Sequence, residues 1–252
     1  MKSKYFTVEV KPVIPNIAAG QHAAFADGDV LFNWHAFDIP RGPAKLLGVS
    51  CDIRPKGNAD ADPNKFPLEL FFAKSRNNGT NPTALGTVNS AVTVPAFSPN
   101  QIISFVEVVA GDFADHLDST TFSHTVPLAG TIFNGELKPE KGTNVGFDRY
   151  YVAGMAGGAL DFTSGILINN GDLNGPILTV DGVDPRLSLA VGDTIAVTTT
   201  ADTSISKSMG VIKSMADANT ITLESAFTTG DVVNNDIVYN VAPITIRLHF
   251  EK

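Results

Sequence analysis

The chain has 252 residues, 43% of them hydrophobic and 17% charged, with a net charge of −8 and a single cysteine. That length fits one or two domains. The scattered Lys and Arg residues argue against a phosphate-binding surface for DNA or RNA, no stretch approaches the ~20 apolar residues of a membrane helix, and a lone thiol excludes an intrachain disulfide framework. The charged fraction falls below the roughly 25% of ordinary soluble domains, which suggests broad areas facing other protein subunits.

The N-terminal run MKSKYFTVEV has no apolar signal core and starts directly as a strand, so a soluble product made in the cytoplasm is expected. Helical periodicity is nearly absent; NPTALGTVNSAVTV holds at most one turn. Strands are predicted near Tyr5–Val10, Asp29–Phe37, Lys45–Arg54, Pro67–Lys74, Ile102–Val109, Val145–Ala153 and Leu160–Ile168, with a closing strand at Ile244–Phe250. In that closing run Ile244, Ile246, Leu248 and Phe250 alternate with Thr245, Arg247, His249 and Glu251, the pattern of a half-buried strand. One terminal strand must pair with something earlier in the chain.

The block from about Leu178 to Asn240 has a different rhythm. VGDTIAV, GVIKSM, NTITLES and DIVYNV follow one another at short spacing, with ADAN and TTGD as turns. The expected fold class is therefore all-β: a jelly-roll-like two-sheet sandwich (1–175 plus 241–252) with a small β-barrel (176–240) inserted before the last strand. The connections Asn77–Pro99 and Gly111–Gly142 are long and rich in Thr, Asn, Pro and Gly, and are expected to be contact loops.

No motif names a chemistry. Cys51 alternates with Val49 and Ile53 and is expected to face a core. His22, His35, His116, His124 and His249 show no metal-ligand spacing. Acidic groups occur at Asp27 and Asp29, at Asp60, Asp62 and Asn64, and at Asp112, Asp115 and Asp118. The second resembles the start of a calcium loop but lacks the Gly and distal Glu of an EF-hand. The glycine-rich run Gly154–Phe162 lacks GxGxxG spacing and a following helix, and is expected to be a tight bend. Aromatics are mostly Phe, which suits packing, and Trp34, Tyr150 and Tyr151 are the candidates for an exposed sugar-stacking platform. No catalytic residue, cofactor or metal ligand is assigned, and a non-enzymatic role is expected.

The run LAVGDTIAVTTT…MGVIKSMADANTITLESAFTTGDVV resembles the small β modules of structural proteins of tailed bacteriophages, and the preceding region is similar in style to virion proteins of marine tailed phages. The resemblance covers about a quarter of the chain and carries over no catalytic residue. It implies a virion structural protein, most simply a decoration (cement) protein on the capsid surface that binds the major capsid protein, assembles as a homotrimer and stabilises the DNA-filled head. Alternatives are a tail or baseplate adaptor, a receptor-binding protein, or a lectin-like carbohydrate-binding protein.

Overall fold

A computed structural model describes residues 4–14, 24–54, 67–74, 81–116, 121–133, 146–160, 162, 165–169, 175–198, 206–227 and 232–252. The strands in chain order are β1 (Tyr5–Val10), β2 (Val30–Pro40), β3 (Ala44–Ile53), β4 (Leu68–Lys74), β5 (Gln101–Val108), β6 (Ala114–His116), β7 (Thr121–Phe133), β8 (Phe147–Ala156), β9 (Ile166–Ile168), β10 (Gly175–Gly182), β11 (Thr194–Thr198), β12 (Ser206–Asp217), β13 (Thr220–Phe227), β14 (Ile237–Asn240) and β15 (Ile244–Glu251). The one described α-helix, α1, is the single turn Val94–Phe97, with Pro95 in its first turn.

Two sheets face each other. One has the order β1-β15-β3-β7-β6 and the other β2-β8-β4-β5. With the short β6 set aside, successive strands are shared between the sheets as in a jelly roll. The third unit is a closed barrel, β10-β13-β12-β11-β14-β9, which lies in sequence between β8 and β15.

The sandwich core forms from the inward half of each alternating strand. On β15, Ile244, Ile246, Leu248 and Phe250 are buried while the residues between them are half-exposed, so the predicted alternation is observed. An aromatic cluster fills the middle. Phe133 lies edge-on to Phe72, Tyr150 and Phe250, with ring centroids 5.6, 5.1 and 5.3 Å away, a geometry that adds to simple area burial. The barrel has its own apolar interior, built from residues such as Ile168, Leu178, Val180, Ile195, Val197, Ile212, Ile221, Leu223 and Val238.

Three expectations change. The Gly111–Gly142 segment is not one long loop: it contains β6 and β7, and β7 pairs with β3 from Ala44↔Phe133 to Ile53↔Phe122. Pro127 and Gly130 read as breakers, and the strand accommodates them by bulging: between Leu46↔Thr131 and Gly48↔Pro127, residues 128–130 of β7 face Leu47 alone. The strand expected at Leu160–Ile168 is reduced to Ile166–Ile168, and it belongs to the barrel, where it pairs with β10 and β14. Leu160 makes an isolated bridge to Phe25. Lastly, β8 runs on to Ala156 before the glycine-rich bend begins. Gly154 is required there, because a Cβ would sit 2.3 Å from the ring of Phe32. Of the ranges expected for the two units, 176–240 holds β11–β14 and most of β10, while β9 is a barrel stave that lies before it in sequence.

The barrel meets the sandwich beside β3 and β15. Backbone hydrogen bonds run from Ile14 N–H to Val241 O (3.0 Å) and from Arg54 N–H to Pro243 O (2.8 Å). The Arg54 guanidinium lies 3.6 Å from Asp193, whose other oxygen accepts from Asn240.

Candidate interaction site

The outer faces of the two sheets differ in chemistry. On the five-stranded sheet, the outward residues of β1, β15 and β3 form a polar surface in two cross-strand rows. In the first, His249 reaches Thr7 Oγ1 through Nδ1 (3.1 Å) and Ser50 Oγ through Nε2 (2.6 Å). In the second, Arg247 donates to Glu9 (3.1 Å) and to Asp52. The hydrogen bond to Asp52 is the main reason the guanidinium holds its proton more firmly than usual, reinforced by the charges of both carboxylates. At the end of the same face Lys4 pairs with Glu251 and lowers the pKa of that carboxyl. An open pocket lined by Pro43, Ala44, Lys45, Glu251 and Lys252 adjoins this pair.

The outer face of the four-stranded sheet is covered by the chain itself. Residues 81–100 lie across it and are fastened by side chains of β2 and β8. Asn33 donates to Gly86 O (2.9 Å) and accepts from Leu85 N–H (2.7 Å). The Trp34 indole N–H donates to Thr83 O (2.8 Å), and the Tyr151 hydroxyl donates to Asn81 Oδ1 (2.9 Å). Asn100 closes the segment on itself, accepting from Thr83 N–H and donating to Thr83 O and Ala96 O. Beneath it Val30, Leu85 and Ala153 form a small second core with Trp34, Val88, Val92 and Phe97.

Toward β5 this cover ends in exposed apolar surface. Phe71 sits 5.3 Å from both Phe97 and Phe105, centroid to centroid, forming a continuous aromatic row. Phe105 is 47% exposed and Val94, at the start of α1, is 78% exposed. β5 is the last strand of its sheet. Residues 77–106 contain no charged side chain. A charge appears next at Glu107, which pairs directly across from Glu69. Burial first, then Glu107 and Asp27, raise the Glu69 pKa.

The sequence candidates fall into place as follows. Cys51 is fully buried, and burial, with Asp52 next to it, pushes its thiol pKa far up, the opposite of an activated nucleophile. His35 accepts from Val13 N–H at Nε2, so its Nδ1 is the nitrogen that donates to Asn33 O. Asp29 and Asp112 each accept a nearby backbone N–H within a turn. Tyr150 is fully buried in the sandwich core, and Trp34 and Tyr151 lie under residues 81–100, so the three aromatics do not form an open platform. His22, Asp60, Asp62, Asn64 and Asp118 lie outside the described residues, and His116, His124 and Asp115 lie on β6 and β7 at positions where the backbone alone is described. Among the described residues no group of three or more His, Cys, Asp or Glu could hold a metal ion. No described helix is long and apolar enough to cross a membrane.

The sequence reading missed the outward-facing Asn33 and the neutral surface around Phe105. The signal was there: an uncharged run that spans a connection and the first six residues of the strand after it, with Phe on the strand's outward phase.

No protein family model matches the chain, and no curated protein matches it. Among solved structures, a chain in the structure of the Macrobrachium rosenbergii nodavirus aligns with 98% of this chain and 89% of its own length, at 10% identity and a TM-score of 0.11. A likeness at that level carries no argument.

Proposed function

We propose that this chain is a non-enzymatic virion structural protein, a decoration protein that binds between capsid subunits as a homotrimer and stabilises the DNA-filled head. The observation that carries this reading is the barrel. The segment that resembles a phage structural module supplies β11, β12 and β13 of a closed unit with its own filled interior. That unit sits in sequence between two strands of a jelly roll and presents Ile177, Leu187, Val191 and Val233 on its outside. Such an arrangement suits a two-point clamp, with one module on each side of a subunit boundary. A specific contact of this kind buries on the order of 1,600 Å², and many identical copies on a lattice add avidity.

The receptor-binding alternative loses its main support, because the aromatics it needed are covered. The test is co-sedimentation of the purified chain with phage heads that lack it, followed by electron cryomicroscopy. Saturable occupancy at regular lattice points is expected. Absence of binding to heads, with binding to tails or to a glycan array, would replace this reading with the adaptor or lectin-like one.

A further inference from the structure

We propose that the neutral face around Phe105 is the surface through which copies of this chain meet one another. In a closed symmetric assembly the same residues from each copy converge on the axis. A chain of net charge −8 repels itself over most of its surface, and charges that coincide at an axis repel most. The face made by α1, Phe71 and β5 as far as Val106 escapes this, because residues 77–106 carry no charge and the Glu69–Glu107 pair bounds it at one end.

The face also has the composition of an interface centre: aromatic, without charge, and exposed. Phe97, Phe71 and Phe105 form an unbroken row from the segment 81–100 to the sheet's last strand. Val94, the most exposed large hydrophobic residue among those described, sits in the same helical turn as Phe97. The opposite outer face contrasts with it: Glu9, Arg247, Asp52, Lys4 and Glu251 are paired within the chain there. Burying that face against a copy would desolvate charges already satisfied.

This inference deepens the proposed decoration role, since such a protein needs a face for its own copies, but the two are tested apart. Sedimentation velocity of the free full-length chain, run from low to high micromolar concentration, reads self-association, and co-sedimentation with heads reads capsid binding. The wild type is expected to sediment as a dimer or trimer. Phe105→Glu and, separately, Val94→Asp should weaken association by at least about tenfold. Both should keep the circular-dichroism spectrum of the wild type; Val94→Asp alters a side chain that is nearly free of packing, so at least one variant reports on association without disturbing the fold. The barrel variant Ile177→Glu should associate like the wild type. A monomeric wild type at every concentration overturns the proposal, as does an oligomer that Phe105→Glu and Val94→Asp leave intact. A monomer whose binding to heads is lost in Phe105→Glu also overturns it, and gives the face to the capsid partner instead.

Discussion

Trp34 on β2 donates its indole N–H to the carbonyl oxygen of Thr83, 49 positions later in the chain, at 2.8 Å. That bond, together with the paired hydrogen bonds of Asn33, turns a connection of low helical and strand propensity into a fixed outer layer. Trp34→Phe keeps most of the apolar contact and leaves the Thr83 carbonyl without this donor. A loss of about 1 kcal/mol is expected. Hydrogen–deuterium exchange should quicken across 81–92 and stay unchanged in the barrel.

Tyr150 makes the opposite case. Its ring packs against Phe37 and Phe133, while its hydroxyl is buried with no hydrogen-bond partner among the described residues. Removing an unsatisfied polar atom and keeping the ring should cost nothing. Tyr150→Phe is therefore expected to melt at or above the wild-type temperature, whereas Tyr150→Ala should lose about 3–5 kcal/mol.

Cys51 ties stability to alkaline pH. Burial raises its folded-state pKa, so the unfolded chain releases the thiol proton first as pH rises. Stability from this group is full below the ordinary thiol value of about 8.5 and falls above it. Denaturant midpoints measured between neutral pH and pH 10 should fall for the wild type and decline less steeply for Cys51→Ala. The native thiol should also resist iodoacetamide until the protein unfolds.

The cross-strand pair Glu69–Glu107 acts at the other end of the pH scale. The Glu69 pKa is raised by burial and by its acidic neighbours, so the folded state binds this proton more tightly than the unfolded chain. The charged pair is a cost near neutrality, and the cost is relieved as pH falls through the raised folded value toward the ordinary glutamate value. Glu69→Gln should raise the melting temperature at pH 7, with about 0.2–1 kcal/mol expected for removing a like-charge cross-strand contact. The difference should shrink on mild acidification.

Gly154 and Phe32 form a pair that can be tested by compensation. Any Cβ at position 154 meets a ring that is wholly buried and cannot swing away. Gly154→Ala should cost about 1–3 kcal/mol. The double variant Gly154→Ala, Phe32→Leu should cost less than the sum of the singles, and equal additive losses would show that the ring has room to move.

Much of the sandwich could be read from residues alone, because its strands alternate. The closing strand, β1, β3 and β4 each carry an apolar phase facing the opposite sheet, and their predicted positions fall within a residue or so of the observed ones. β7 was hidden because Pro127 and Gly130 interrupt its pattern, and the bulge at residues 128–130 shows only in the pairing with β3, a partner that no local window contains. β9 is three residues long and gains its identity from β10 and β14. The interaction face was hidden for a related reason. Phe71, Phe97 and Phe105 sit at unrelated sequence spacings, and only the pairing of β4 with β5 and the return of 81–100 over the sheet place them in one row.

The position of β15 between β1 and β3 also sets an order of events. Tyr5 pairs with Glu251, and Val10 with Ile246, so the first strand waits for residues about as far along the chain as they can be. All six staves of the barrel lie between Ile166 and Asn240. Contacts of high sequence separation form late. Until β15 is in place β1 has no partner among the described strands and β3 is paired with β7 alone, so both leave an open edge. The barrel needs no strand from either end of the chain to close, so in the interval before β15 docks it is the sandwich that is prone to aggregate.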